Sequence, residues 1–317
     1  MANFFLLIIS LISCYFFTKY LIKPLTKLTP DVPNHRSSHN KITPRGGGLA
    51  IIFASSICFV FLGQFEFLFL ILLLITSFSD DIKPLDIKYK FSSQFITVLI
   101  LFLNSNIKNN FFQGNNLFLD LVISLFIILI GCALINFSNF IDGIDGLLCS
   151  LMVVILLFSS FVITSSVVPI VGAILGFLIW NWCPAKIFLG DVGSNFLGGY
   201  FVYIIFNTDS IANSLGLLLI SFPILMDCSI SIIRRFFYKQ NIFEPHSLHL
   251  FQRIVQSGWK HSQVSILYLL LVLLLGLSWI YGGIKFQLLS CGITFIIFLF
   301  IEKFFAKPFK IRTKNNL

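Results

Sequence analysis

Acidic side chains are scarce in this 317-residue chain, with 13 Asp and Glu against 22 Lys and Arg and only 11% of residues charged. With 57% of residues hydrophobic and a mean hydropathy of +0.95, that scarcity excludes a soluble globular domain and points to a polytopic helical membrane protein. Every polar stretch is short, so no sizeable soluble domain fits, and one membrane-embedded domain spans 1–317. Cysteine pairing is missing too. Cys14, Cys58, Cys132, Cys149, Cys183, Cys228 and Cys291 lie in or beside apolar segments with no CxxC spacing, and read as small buried hydrophobes. There is no concentrated basic block either. The net charge of +9 is spread over separate loops, which argues for membrane orientation and against a nucleic-acid partner. What abounds is Phe, 39 copies, suited to lipid-facing and interhelical packing.

Apolar segments fall near 3–22, 48–63, 65–79, 92–104, 117–135, 147–164, 166–181, 195–207, 211–232, 264–281 and 284–302. They predict an all-α fold of about 11 transmembrane helices, or ten if two short ones form a re-entrant pair. No Lys or Arg precedes the first segment, whereas Lys19, Lys23 and Lys27 follow it. That pattern predicts a retained first helix with its N-terminus outside the cytoplasm. Threading the spans from there puts nineteen Lys and Arg on the cytoplasmic side, leaves Lys108 and Lys285 outside, and sets Lys19 at the inner boundary. The same threading brings every acidic motif to the cytoplasmic face.

Carboxylates near hydrocarbon are costly, so the few present point to chemistry. Asp80 and Asp81 follow Ser79 at the end of one segment, and two adjacent acids suit a divalent metal or proton transfer. Lys83, Lys88 and Lys90 follow, able to offset that charge or engage phosphate. Asn136, Asn139, Asp142 and Asp145 stand three residues apart, a ladder of amides and carboxylates on a helix that ends near Gly143 and Gly146. Asp191 lies between Gly190 and Gly193, where a carboxylate can lean toward a metal while backbone N–H groups meet oxyanions; a turn with Asp as N-cap accounts for it equally well alone.

The first polar loop carries Asp31, Arg36, Ser37, Ser38, Lys41, Thr43, Arg45 and the run Gly46-Gly47-Gly48. Its cations, hydroxyls and glycines can hold an anionic phosphate, although a basic inter-helix loop explains the composition as well. In the loop 234–263, His246, His249 and Arg253 suit phosphate or diphosphate better than a metal, since no third soft ligand is near and Arg253 repels a cation. Asp227, inside an apolar segment, either pairs with Arg234 two turns on or supports the site.

In this order, from Asp31 to about His261, these motifs closely resemble the polyprenyl-phosphate N-acetylhexosamine-1-phosphate transferase superfamily. The likeness is strongest to members that begin O-antigen, common-antigen or teichoic-acid linkage synthesis. It implies a ten- or eleven-helix fold with a cytoplasmic cleft in the bacterial inner membrane, and Mg²⁺ as cofactor, with Mn²⁺ as a substitute. It implies transfer of a sugar 1-phosphate from a UDP-N-acetylhexosamine to undecaprenyl phosphate with release of UMP, a homodimer being open. Under it Asp191 is the Mg²⁺ ligand, joined by Asn139 as a further candidate, and Asp80, Asp81, Asp142 and Asp145 are catalytic. Arg36, Ser38, Arg45, Lys90, Asn136, Asn139, His246, His249 and Arg253 bind substrate. The segment Pro245-His246-Ser247-Leu248-His249 departs from the triple histidine of the muramoyl-pentapeptide enzymes, which argues for a simple UDP-N-acetylhexosamine donor. A secondary transporter of an anionic substrate is the rival reading. Its ionisable groups, however, belong near the bilayer midplane.

Overall fold

The computed structural model describes residues 2–33, 41–111, 116–163, 166–242, 244 and 246–309. Arg36 and Ser38 lie outside the described residues. The helices are α1 (Ala2–Leu28), α2 (Gly48–Phe61), α3 (Ile71–Ile82), α4 (Ile87–Leu103), α5 (Asn106–Phe111), α6 (Leu117–Ile141) and α7 (Leu147–Ser159). They continue with α8 (Val168–Asn181), α9 (Gly190–Phe206), α10 (Ile211–Ile220), α11 (Phe222–Phe237), α12 (Leu250–Gln256) and α13 (His261–Phe304). A 3-10 turn, Glu66–Leu70, leads into α3. Two-residue strands β1 (Pro30–Asp31) and β2 (Thr43–Pro44) pair antiparallel, Pro30 opposite Pro44, and close the neck of the first polar loop.

The architecture is all-helical and compatible with a polytopic membrane protein. Among the described residues Asn3–Leu28, Leu117–Ile141 and His261–Phe304 are long and apolar enough to cross a membrane, and the bent pair α10–α11 reaches that length only when its two helices are taken together. Other apolar helices are short. The 14 residues of α2 or α8 rise only ~21 Å, less than a ~30 Å hydrocarbon layer. Large apolar side chains such as Phe61, Leu117, Phe118, Phe237 and Tyr281 face outward, as lipid contact requires.

Two helices differ from the expected segments. The segment 211–232 is broken into α10 and α11, which meet at 68°. Pro223 in the first turn of α11 lacks the N–H needed to continue α10 and disfavours helix in the residue before it. α13 turns back on itself at Gly283 (φ 66°, ψ −168°). A straight helix of 44 residues would be ~66 Å long. Instead Ser257 Oγ, just before the helix, donates to the Phe305 carbonyl just after it at 2.5 Å. The rings of Tyr268 and Phe298, equidistant from Gly283, lie 5.4 Å apart. The apolar segments 264–281 and 284–302 are thus two arms of a hairpin.

α9 is the hub, buried on all sides from Val192 to Phe206 and packed against α2, α3, α4 and α6. Because the chain passes up and down around it, the C-terminal ends of α3, α6 and α8 meet the N-terminal ends of α2, α4, α7 and α9. Among the described residues the polar motifs therefore arrive at one end of the bundle.

Candidate active site

The acids sit in terminal helical turns. Asp80 and Asp81 close α3, Asp191 opens α9, Asn139 ends α6, and Asp142 is its C-cap. Asp80 and Asp191 bring their carboxyl groups within hydrogen-bonding reach of each other. Lys90, from the first turn of α4, pairs with Asp80 and reaches to 3.8 Å from Asp191 Oδ2. The Leu85 amide donates to Asp80 Oδ1 at 2.7 Å, fixing the turn between α3 and α4. Across the cleft, Asn139 Nδ2 donates to Asp191 Oδ1 at 3.0 Å and to Ser194 Oγ at 2.9 Å.

Asp81 is employed differently from its neighbour. Its two oxygens accept the backbone amides of Asp191 (2.9 Å) and Val192 (3.0 Å), which caps α9 from another helix. The adjacent pair therefore does not present two side chains to one ligand. Asp80 faces the cleft, and Asp81 secures the residue expected to hold metal.

The glycine run also works within the protein. Gly47 and Gly48 donate to the carbonyls of Phe188 and Leu189, both at 2.9 Å. A Cβ on Gly48 would lie 2.1 Å from Gly193 Cα, and one on Gly190 (φ +76°) 2.5 Å from the Gly46 nitrogen. The close approach expected for a phosphate is thus an approach to the chain's own backbone. Arg45 pairs with Asp31 at 2.8 Å and stays near enough to Asp81 and Asp142 to act on their charge.

The ladder at 136–145 spreads among different neighbours because α6 ends at Ile141. Asn136 exchanges hydrogen bonds with Gln94 of α4 (2.8 and 3.2 Å), a residue that lines the Asp80–Lys90–Asp191 cleft. Asp142 is half-buried, and its carboxyl is raised well above the ordinary range by burial, then by the charges of Asp191 and Asp81. Asp145 accepts the Ala185 amide at 3.1 Å and lies 3.3 Å from His261 Nδ1. Burial alone would raise its carboxyl, but the His261 hydrogen bond and charge outweigh burial and hold it below the usual value.

The histidine loop reaches this end of the bundle through α12, whose Phe251 and Gln252 sit against Gly143. The rings of His246 and His249 lie 4.7 Å apart with a 30° tilt, and burial, with His249 and Arg235 adding to it, lowers His246 to about 3. Arg253 takes a structural post. It is 4% exposed, pairs with Glu302, and donates to the Lys307 carbonyl at 2.9 Å, while Phe309 lies 5.6 Å from its guanidinium. Arg234 shares Glu302, so Asp227 does not pair with it.

Three contributors escaped the sequence reading. Asn181 ends α8 and bridges two turns of the site, accepting from the Gly146 amide (3.1 Å) and donating to the Ile187 carbonyl (3.0 Å). Asn195 donates to Ser77 Oγ at 2.8 Å on the floor of the Asp80–Lys90–Asp191 cleft, and its Oδ1 is buried without a partner. His261 opens α13 beside Asp145. A lone amide in an otherwise apolar helix was the available signal for Asn181.

A facing carboxylate pair with one lysine and an amide is an oxygen-rich set that a hard divalent cation or a proton must balance, so the residues fit Mg²⁺. Residues 64–209 match the model of glycosyl transferase family 4. A probable undecaprenyl-phosphate N-acetylglucosaminyl 1-phosphate transferase of Bacillus subtilis is 29% identical over 98% of this chain and 96% of its own length. An undecaprenyl-phosphate alpha-N-acetylglucosaminyl 1-phosphate transferase of Thermotoga maritima is 28% identical over 91% and 95%. A phospho-N-acetylmuramoyl-pentapeptide-transferase of Dictyoglomus thermophilum is 33% identical over 70% and 77%.

Proposed function

The chain belongs to glycosyl transferase family 4, and on that premise we propose that it moves an N-acetylhexosamine 1-phosphate from a UDP-sugar onto undecaprenyl phosphate, releasing UMP at the cytoplasmic face of a bacterial inner membrane. The observation that carries the reading is the meeting of Asp80, Lys90, Asn139 and Asp191 in one cleft at the end of an apolar bundle. The product lipid would begin a surface polysaccharide of the O-antigen kind. The N-acetylglucosaminyl relatives match over 98% and 91% of this chain, which supports a simple UDP-N-acetylhexosamine donor.

An oxygen of the lipid phosphate attacks the β-phosphorus of the donor. The new P–O bond forms as the bond between that phosphorus and the bridging oxygen breaks, and UMP leaves with the bridging oxygen. The acceptor is a phosphomonoester with a second pKa near ~6, so it arrives largely ionised and needs no strong base. Asp80 accordingly positions the acceptor with Lys90, whose ammonium screens the approaching charges. Asp191, steadied by Asn139 and by the Asp81 cap, is the residue assigned to hold Mg²⁺ with Asp80. When bound, that ion offsets charge on the diphosphate and improves UMP as a leaving group. Burial and the charges of Asp191 and Asp81 favour the protonated form of Asp142, the form that donates a hydrogen bond to a substrate oxygen. Asp145 stays ionised and able to accept from the donor nucleotide.

The carboxylates lie in terminal helical turns, which separates this arrangement from a transporter with midplane charges. The test is UMP release from UDP-GlcNAc, UDP-GalNAc, UDP-QuiNAc and UDP-FucNAc in membranes given undecaprenyl phosphate and Mg²⁺. Asp191→Ala should abolish release while leaving a folded, inserted protein. Near-normal turnover in that variant would defeat the metal assignment, and labelled donor crossing vesicles unmodified would defeat the enzyme reading.

A further inference from the structure

Asp227 has no part in the chemistry above, yet it is 2% exposed inside an apolar helix, where a carboxylate is costly unless fully matched. Its matching is unusually complete. Oδ1 accepts the Leu250 amide at 2.7 Å, and Oδ2 accepts the Phe251 amide at 3.1 Å and the Tyr268 hydroxyl at 2.5 Å. Oδ1 also lies 3.5 Å from His249 Nδ1, a buried atom with no other hydrogen-bond partner. One carboxylate thus joins α11, the first turn of α12 and the first arm of α13.

The placement of His249 makes this junction more than a fold brace. Its ring lies 6.0 Å from Phe140, beside the turn that carries Asp142, and 4.7 Å from His246. With Nδ1 turned toward a carboxylate, that nitrogen carries the hydrogen and Nε2 is the atom left for a ligand. The same arrangement, a carboxylate fixing the tautomer and angle of an imidazole, tunes many histidine sites through the ring's far nitrogen.

We propose that Asp227 is a positioning residue for sugar-phosphate transfer: it anchors α12 and orients His249 so that the His246–His249 pair meets the donor diphosphate. The proposal rests on the transferase reading, but part of its test needs no turnover. Asp227→Asn keeps the shape and loses the ability to accept both amides. Hydrogen exchange of segment 248–256 in detergent should be about tenfold faster in that variant, whose melting transition stays single. Its kcat for UMP release should fall about 10–100-fold, as when an orienting partner of a histidine is removed. The donor KM should move less than about threefold. Tyr268→Phe, which removes one hydrogen bond to the same carboxylate, should lower kcat in the same direction by less.

A double-mutant cycle with His249→Ala decides between orientation and mere folding. If Asp227 acts through His249, the double variant is no slower than the slower single variant. Losses that multiply, or unchanged exchange at 248–256, overturn the proposal. No UMP from wild-type protein with any UDP-sugar would sink the transferase reading itself. Wild-type turnover that survives Asp227→Asn unchanged would sink the positioning role alone.

Discussion

Gly48→Ala adds one methyl group where two backbones touch. The new Cβ would lie 2.1 Å from Gly193 Cα and 2.5 Å from Gly193 N, with the Leu189 carbonyl oxygen at 3.2 Å. None of these atoms belongs to a side chain that can rotate away. Ordinary contact begins at 3.4 Å, so α2 and α9 must part by roughly 1.3 Å. Gly193 stands two residues beyond Asp191, in the same turn, and the displacement passes directly to the carboxylate. Overpacking of this kind costs ~1–3 kcal/mol in stability. A displacement of ~1 Å in a reacting constellation costs ~100-fold in rate. The expected result is a melting temperature lowered by a few degrees in detergent and UMP release slowed by about two orders of magnitude. Gly292→Ala is the control, since a Cβ there meets nothing within 4 Å and its φ is not positive. It should match wild type in both assays. Wild-type turnover in Gly48→Ala, or an equal loss in Gly292→Ala, would refute the link between this backbone contact and the site.

Asp81→Asn can accept only one of the two amides that Asp81 holds, and loss of a cap costs ~1–2 kcal/mol. If all of that falls on the placement of Asp191, initial rates should drop about 5–30-fold. His246 binds its proton only near pH 3 in the folded protein, whereas the unfolded chain binds it near ~6.5. Unfolding therefore takes up a proton between these values, and thermal stability should fall as pH is lowered from ~6.5 toward 3. The fall should be shallower in His246→Gln; an identical slope would show that another group carries it. Glu302→Gln leaves buried Arg253 without its carboxylate and should lower stability by ~1–3 kcal/mol, read from thermal melts, with kcat little changed. A selective loss of kcat there would return Arg253 to the substrate-binding set.

Much of the site was legible because charge is so scarce in this chain that each acid demands a reason. Hydropathy located the helices but trimmed their ends. It stopped at 79, 135 and 195, whereas α3 runs to Ile82, α6 to Ile141, and α9 starts at Gly190. The polar residues that end an apolar window do not end a helix, so Asp80, Asn139 and Asp191 lie beyond the apolar segments yet inside the terminal turns of α3, α6 and α9. Partners across the bundle were not legible. Nothing local to Asp227 announces that the first turn of α12 lies against it, and nothing in the sequence of Arg253 reveals Glu302, 49 positions on. Three glycines beside cations read as a phosphate loop until Gly190 and Gly193 are brought against them.

The division of labour between Asp80 and Asp81 follows from helical geometry. Successive residues on a helix point about 100° apart, so two neighbouring carboxylates at a helix end cannot readily face one cation together. One must look elsewhere for neutralisation, and the N-terminus of α9 supplies it with two free amides and the positive end of a helix dipole. The same amides belong to Asp191 and its neighbour. The side chain that finds its own stabilisation there thereby fixes the carboxylate that faces Asp80. Adjacent acids at one helix end and a single acid at the start of another are then parts of one device: the first helix contributes Asp80 to the cleft and, with Asp81, the clamp that sets where the second helix presents its own carboxylate.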